Sequence, residues 1–138
     1  MGRSAIVVKV GNKYKGVYCH NNGDPYGKNS LRVHLYTSYN SQEMAEALVE
    51  LGNISAVKEK IAPPEGIPHT FDAPLPDVTV AYIRDRGDDS VESALRSARS
   101  VKGITDYIQH EFVYLFKDGQ WTVRRYDRKK GIPLFQLW

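Results

Sequence analysis

The stretch that decides the fold is Ala5-Ile-Val-Val-Lys-Val10, followed by Gly11-Asn12 and then by Lys13-Tyr-Lys-Gly-Val-Tyr-Cys-His20. Both runs are rich in β-branched and aromatic residues, which are enriched in strands. A Gly-Asn pair between two such runs is a strong signal for a tight hairpin turn. The sequence therefore predicts an antiparallel hairpin near the start of the chain.

A second hairpin is predicted near the other end. Glu111 to Phe116 and Trp121 to Tyr126 are strand-like runs, and Lys117-Asp-Gly119 places an Asp-Gly turn between them. Val78-Thr-Val-Ala-Tyr-Ile83 gives the clearest single strand signal, and Pro133 to Trp138 is expected to add an edge strand. Hairpins at both ends favour a largely antiparallel sheet.

Helical spacing appears between the hairpins. Leu31, Leu35 and Tyr39 recur at the spacing of one helix face, and Asn40-Ser-Gln-Glu43 resembles a capping box that begins a second helix. Asp89-Ser-Val-Glu92 is expected to cap a further short helix that runs through about Ser100. The two successive helices should pack together on the sheet.

Five of the 7 prolines lie between Pro63 and Pro76, which excludes regular structure over most of that span. The apolar residues among them predict an ordered loop that packs over the core. The predicted order is β-β-α-α-loop-β-α-β-β, in a single globular domain spanning residues 1–138. This order indicates an α+β fold, with a largely antiparallel sheet and helices on one face.

Composition is that of a soluble globular domain, with 41% hydrophobic and 25% charged residues in 138. No apolar run approaches the ~20 residues that a membrane span needs, and the N-terminus lacks the apolar stretch of a secretory signal. Cys19 is the single cysteine, so no internal disulfide can form. We therefore expect a cytoplasmic protein that does not bind membranes.

Positive charge is concentrated near the C-terminus. The run from Arg124 to Lys130 carries five positive charges and one negative, and the whole chain has a net charge of +3, so the rest sums to −1. A nucleic-acid-binding domain usually spreads basic residues over a face, with a higher pI than the 8.9 of this chain. The pattern favours a solvated strand end over a nucleic-acid contact, although Tyr126 within the run could stack on a base.

The first group of candidate site residues follows Gly16-Val-Tyr-Cys-His20, where a predicted strand meets a polar loop. Adjacent residues on a strand point to opposite faces, so Cys19 and His20 are not expected to act together as nucleophile and base. Cys19 is expected in the core, because free cysteine is commonly buried. The candidate ligand-binding residues of this loop are His20, Asn22, Asp24 and Tyr26.

The second group lies in His69-Thr-Phe-Asp72 and Arg84-Asp-Arg-Gly87. The neighbouring prolines limit the freedom of the first segment, which lowers the entropy cost of binding a ligand. Two arginines at the end of the predicted strand can present paired donors to a phosphate or carboxylate, whereas the structural alternative is an Arg-Asp ladder and an ordinary turn. The candidate ligand-binding residues here are His69, Phe71, Asp72, Tyr82, Arg84 and Arg86.

No metal site, cofactor or catalytic residue is predicted. The 4 histidines are scattered along the sequence, whereas zinc sites usually show short paired spacings. A hydrolase that uses His20 or His69 as a general base is the enzymatic alternative.

These segments, with Leu51-Gly-Asn-Ile-Ser55, resemble a family of small accessory proteins of bacteriophages and prophages. The resemblance extends from the first hairpin to the Phe116-Lys-Asp-Gly119 turn and departs at Asn21-Asn22, where the family pattern has an aromatic residue. It implies a phage setting and transfers no catalytic residues.

That setting implies a binding protein in the host cytoplasm that sequesters an anionic, nucleotide-like immune signal. In this reading Arg84 and Arg86 meet phosphates, and Phe71 or Tyr82 stacks on a ring. The alternative from another class is an inhibitor that binds a host protein. A homo-oligomer is also expected, because the final edge strand would be exposed in a monomer.

Overall fold

The α+β class is confirmed in a computed structural model, which describes residues 2–134. The strands are β1 (Ser4–Val10), β2 (Lys13–Cys19), β3 (Ile54–Ala56), β4 (Val80–Ala81), β5 (Arg96–Ala98), β6 (Phe112–Lys117), β7 (Gln120–Arg125) and β8 (Ile132–Pro133). The helices are α1 (Leu31–Ser38), α2 (Gln42–Val49), α3 (Tyr82–Arg86) and α4 (Val101–Thr105), and Val91–Ser93 forms one 3-10 turn.

Both predicted hairpins are present, with the expected turns. Val10 pairs with Lys13 across a two-residue turn in which Gly11 has a φ of 62°. Lys117 pairs with Gln120 across Asp118 and Gly119, whose φ values are 55° and 80°. Positive φ at both central residues makes the second turn type I′, whereas positive φ at Gly11 and not at Asn12 is the pattern of a type II′ turn. Both turn types match the twist of the flanking strands.

The two hairpins join through a parallel pairing that local sequence signals do not predict. The strand order is β4-β3-β2-β1-β6-β7-β8, and β5 pairs with β2 beside this path. Strand β1 lies parallel to β6, from Ser4 opposite Phe112 to Val8 opposite Phe116. Strands β2 and β3 are also parallel, whereas the remaining strand pairs are antiparallel. The sheet is therefore mixed and largely antiparallel.

The sheet has a core on each face. Helices α1 and α2 cover the larger core, in which Trp121 donates its indole N–H to the carbonyl of Tyr39 at 3.0 Å. The two long helices thus share one face, as predicted. The short helix α4 packs on the opposite face, where Ile104 and Ile108 cover Val7. This second layer has no counterpart in the predicted arrangement.

Of the strand predicted over residues 78–83, Val80–Ala81 forms β4 and Val78 forms an isolated bridge. Beyond Ala81 the prediction is wrong, because the chain turns into α3. The Asp85 carboxylate accepts the Ala81 N–H at 2.8 Å, which holds the first turn of this helix. Gly87 ends it with a φ of 73°, a conformation that favours glycine at a helix end.

The prediction of a helix through Ser100 is also wrong. Residues 96–98 form β5 against β2, and Ser100 instead caps the start of α4 by accepting the Gly103 N–H at 3.0 Å. The start of α2 is displaced by one residue, since Ser41 rather than Asn40 accepts the Met44 N–H. Competition from strand pairing explains the first difference, because residues 96–98 pair with residues 14–16 of β2 instead of continuing a helix.

The proline-rich segment is ordered, as predicted, with a parallel bridge between Lys60 and Val78. Of the edge strand predicted from Pro133 onward, Pro133 pairs with β7, as does Ile132 before it, and residues 135–138 lie outside the described part of the chain. Within residues 2–134, no helix has the length and apolar character needed to cross a membrane.

Candidate functional site

His69 is a buried structural residue with both ring nitrogens occupied. Its side chain is 0% exposed, and Nδ1 accepts the Leu75 N–H at 2.9 Å. Because Nδ1 is an acceptor, the ring proton lies on Nε2, which donates to the Thr79 carbonyl at 3.1 Å. Nε2 also lies 3.4 Å from a carboxylate oxygen of Asp85. The histidine therefore fastens the proline-rich loop to α3 and has no free nitrogen for a ligand or for base catalysis.

Arg84 is likewise bound within the protein. Its guanidinium donates Nε–H to Oδ1 of Asp85 at 2.8 Å and Nη2–H to Oδ2 at 3.0 Å. It also donates to the carbonyls of Ile61 at 2.5 Å and Thr79 at 2.6 Å. These four bonds match the structural alternative of an Arg-Asp pair, so we do not place Arg84 in a ligand site.

The remaining candidates of the second group form a small surface stack. The rings of Phe71 and Tyr82 lie 5.4 Å apart, and the Arg86 guanidinium lies 5.1 Å from the centre of the Phe71 ring. Asp72 is exposed beside them. The structure therefore brings these predicted residues together, and the arginine faces an aromatic ring of its own chain.

Cys19 and His20, adjacent in the first group, lie in different environments. Cys19 is 0% exposed in the larger core, and burial raises the pKa of its thiol to about 12, which suits packing and not nucleophilic attack. His20 is half-buried, and its Nδ1 lies 2.5 Å from the Tyr18 hydroxyl. His20 lines a polar cavity of about 380 Å³, together with Gly2, Arg3, Asn21, Gln109, His110 and Glu111.

The loop after β2 is held by its own backbone. Asn22 adopts a φ of 63° and its carbonyl accepts the Leu31 N–H at 2.8 Å. Asp24 accepts the Tyr26 N–H at 3.0 Å, a local turn in which the carboxylate substitutes for a backbone acceptor. Tyr26 is 75% exposed. Of these three predicted site residues, Tyr26 presents its side chain for contact, and the other two shape the loop.

Tyr26 borders a cleft that we call the basic cleft. Its volume is about 630 Å³, within the range of pockets that hold small molecules. The apolar floor and walls come from Pro25, Tyr26, Phe112, Val123 and Ile132. The basic lining comes from Arg124, Arg125, Arg128, Lys129 and Lys130.

Long-range contacts assemble the basic cleft from distant segments. Tyr114 in β6 donates its hydroxyl proton to the Gly23 carbonyl at 2.6 Å, and the Gly23 N–H donates to the Gly2 carbonyl at 2.8 Å. These bonds place the Tyr26 loop over the start of β6, beside the end of β7. Burial raises the pKa of Tyr114, so its hydroxyl keeps the proton for this bond.

Several cations of the basic cleft have no anionic partner among the residues that the structure describes. Arg125 lies 3.4 Å from Asp127, and Arg124 donates to the Arg128 carbonyl at 3.0 Å. Within residues 2–134, no carboxylate lies within ion-pair distance of Arg128 or of the two lysines beside it. Sequence reasoning interpreted this run as a solvated strand end, because nothing local indicates that Tyr26 and Phe112 lie opposite it.

Among the described residues, no group of three or more His, Cys, Asp or Glu side chains is arranged to hold a metal ion. Comparison with known proteins adds no further guide: no family model, curated protein or solved structure matches the chain.

Proposed function

We propose that this protein binds an anionic small molecule of the nucleotide class in the basic cleft. The observation that carries the proposal is the combination of a concave apolar surface, an exposed tyrosine and five cationic side chains in one space of about 630 Å³. A nucleotide offers the matching groups, since its base has an apolar π-face and its phosphates carry negative charge.

Each half of such a ligand has a partner in the basic cleft. The ring of Tyr26 is 75% exposed, so a base can stack on it without displacing a protein contact. Arg128, Lys129 and Lys130 supply donors for the phosphates. The cations that already have carbonyl or carboxylate partners, Arg124 and Arg125, lie beside them and add to the local positive potential.

A small ligand fits these observations better than a nucleic acid. The basic run carries a net charge of +4, and the rest of the chain sums to −1, so the excess of positive charge is concentrated in one short segment. Proteins that track a nucleic acid extend their basic surface along the strand. Sequestration of a nucleotide-like immune signal by a phage accessory protein is the biological role that we propose, and it rests on the resemblance of the sequence.

Thermal denaturation in the presence of a nucleotide panel tests the proposal. A ligand that binds only the folded state raises the melting temperature by mass action. We expect at least one nucleotide to stabilise the wild-type protein, and Tyr26→Ala to abolish that shift without lowering the melting temperature of the free protein. Mass spectrometry of the small molecules released on heating should then identify the bound nucleotide. If no nucleotide shifts the melting temperature, the proposal fails.

A further inference from the structure

The polar cavity around His20 carries a second inference, because it contains two imidazoles and a guanidinium that the basic cleft does not use. Its volume is about 380 Å³. Its histidines are His20, at the end of β2, and His110, just before β6. Arg3 lies between these two strand ends, just before β1.

The strand register fixes this order. Cys19, Ser4 and Phe112 are paired in one row across β2, β1 and β6. The next positions outward are His20, Arg3 and Glu111, and the Arg3 carbonyl accepts the Glu111 N–H at 2.8 Å. Neighbouring strands lie about 4.8 Å apart, so the backbone of Arg3 lies between the two histidine-bearing segments, and Arg3 lines the cavity with both histidines.

The hydrogen bonds of His110 leave one nitrogen with a lone pair. Its Nδ1 lies 2.6 Å from the Ile108 carbonyl, which can only accept, so Nδ1 carries the proton. In the neutral ring Nε2 is then an acceptor and can remove a proton from a hydroxyl group.

His20 has the complementary arrangement. Its Nδ1 lies 2.5 Å from the Tyr18 hydroxyl, which can donate to a neutral ring or accept from a charged one. Burial raises the pKa of Tyr18 and keeps this hydroxyl neutral, although the charge of Arg3 opposes that shift. The tyrosine therefore supports either protonation state of His20 and leaves Nε2–H for donation to a substrate.

The cations and acids of the cavity select the ligand. Within residues 2–134, Arg3 has no carboxylate within ion-pair distance, so its donors are available to an anionic oxygen. Glu111 is exposed at the rim and repels a doubly charged terminal phosphate more than a singly charged diester. A ligand with a hydroxyl beside a phosphodiester satisfies both His110 and Arg3, and the 2′-hydroxyl of ribose has this position.

We propose that this cavity is an acid–base site that cleaves a ribonucleotide phosphodiester. Neutral His110 takes the proton of the 2′-hydroxyl, and the 2′-oxygen attacks phosphorus. The bond from phosphorus to the 5′-oxygen breaks, and the leaving oxygen takes a proton from the charged His20. The products are a 2′,3′-cyclic phosphate and a free 5′-hydroxyl, with no net change in protons.

The position of Arg3 fits this reaction. Phosphoryl transfer places the attacking and leaving oxygens on opposite sides of phosphorus. A phosphate held by Arg3 would have His110 on one side and His20 on the other, and the guanidinium would stabilise the charge on the non-bridging oxygens.

The test uses the dinucleoside monophosphate uridylyl-(3′→5′)-adenosine, with products separated by chromatography and identified by mass. We expect uridine 2′,3′-cyclic phosphate and adenosine, and no cleavage of the analogue with a 2′-deoxyuridine. His20→Gln and His110→Gln should each lower the rate by at least about 100-fold, the usual range for an acid or base. His34→Gln, on α1 and outside the cavity, is the matched control and should retain the wild-type rate.

Melting curves establish whether each variant is folded. If one of the histidine variants does not fold, Arg3→Gln is tested in its place. Loss of cleavage in the folded variants supports the site, whereas equal cleavage by wild type and all variants indicates a contaminating nuclease and overturns it. The proposal is also overturned if the wild type cleaves neither the linear probe nor a 3′–5′ cyclic dinucleotide. Nucleotide binding in the basic cleft is measured separately, so this inference and the proposed function fail independently.

Discussion

Arg84 and Asp85 are adjacent in the sequence and form a two-point ion pair in the structure. Nε lies 2.8 Å from Oδ1, and Nη2 lies 3.0 Å from Oδ2. The carboxylate also accepts the Ala81 N–H and lies 3.4 Å from Nε2 of His69. One buried carboxylate thus joins α3 to the proline-rich loop, and residues expected to bind a ligand instead stabilise the fold.

Asp85→Asn should therefore destabilise the protein. The Asp85 side chain is 3% exposed, and its neutralisation leaves the partly exposed Arg84 guanidinium without a counter-charge. Breaking a buried pair in this way costs about 3–5 kcal/mol, and the partial exposure of Arg84 favours the lower end. Urea unfolding measures the change. Asp77→Asn, which breaks the exposed pair with Lys60, is the control and should leave the midpoint nearly unchanged.

The same carboxylate should make stability depend on pH in the acid range. Burial by itself would raise the pKa of Asp85, but hydrogen bonds from Arg84 and Ala81 outweigh it and the pKa is lowered. A lowered folded-state pKa stabilises the native state fully above the unfolded value of about 3.9, and this contribution is lost as the pH falls through the folded pKa. The difference in unfolding free energy between wild type and Asp85→Asn should shrink below about pH 4. A constant difference would contradict this assignment.

Cys19 should be unreactive in the native protein. It is 0% exposed, so a reagent cannot reach the sulfur, and burial raises the pKa of its thiol to about 12. The thiol therefore stays protonated at pH 8. Iodoacetamide should label it in denaturant and not in buffer. Cys19→Ser should lower stability by about 1–3 kcal/mol and leave nucleotide binding intact in the folded protein. Loss of binding with an unchanged melting temperature would indicate a chemical role for the thiol.

Two glycines with the same backbone angle should respond differently to substitution. Gly52 and Gly119 both have a φ of 80°, so alanine is strained at either position. A Cβ at Gly119 has no neighbour within 4 Å, whereas one at Gly52 would lie 2.4 Å from the Ser93 carbonyl oxygen. Gly119→Ala should cost about 1 kcal/mol, and Gly52→Ala roughly 1–3 kcal/mol more because Ser93 must move. Equal costs in urea unfolding would contradict the close approach of the two segments.

The parts of the fold that local chemistry determines were predictable from the sequence. Asp118-Gly119 specifies its turn within a few residues, and so does the spacing of Leu31 and Leu35 on α1. The parallel pairing of β1 with β6 was not, because it joins segments about 100 residues apart and no short pattern encodes it. The strand signal at residues 78–83 failed for a related reason, since the Asp85 carboxylate turns the chain into α3.

The candidate site was likewise predictable only where local sequence determines it. Tyr26 was predicted from its polar loop, and it is the one member of the ten predicted site residues that lines the basic cleft. The cations opposite it were recognised as a run, but their approach to Tyr26 depends on the bond from Tyr114 to Gly23. His20 was also predicted, whereas its cavity partner His110 carries no local signal and is found only through the strand register.

The most direct measurement is isothermal titration of the nucleotide that gives the largest thermal shift. The test variant replaces Arg128, Lys129 and Lys130 together by alanine. The control replaces Lys13, Lys102 and Lys117, which removes the same charge from exposed positions away from the basic cleft. Hydrogen bonds to charged groups contribute about 1.5–3 kcal/mol each, so the test variant should bind at least tenfold more weakly, and the control should bind like the wild type. If the test variant keeps its affinity while Arg84→Ala or Arg86→Ala loses it, the ligand binds at the second group of residues and not in the basic cleft.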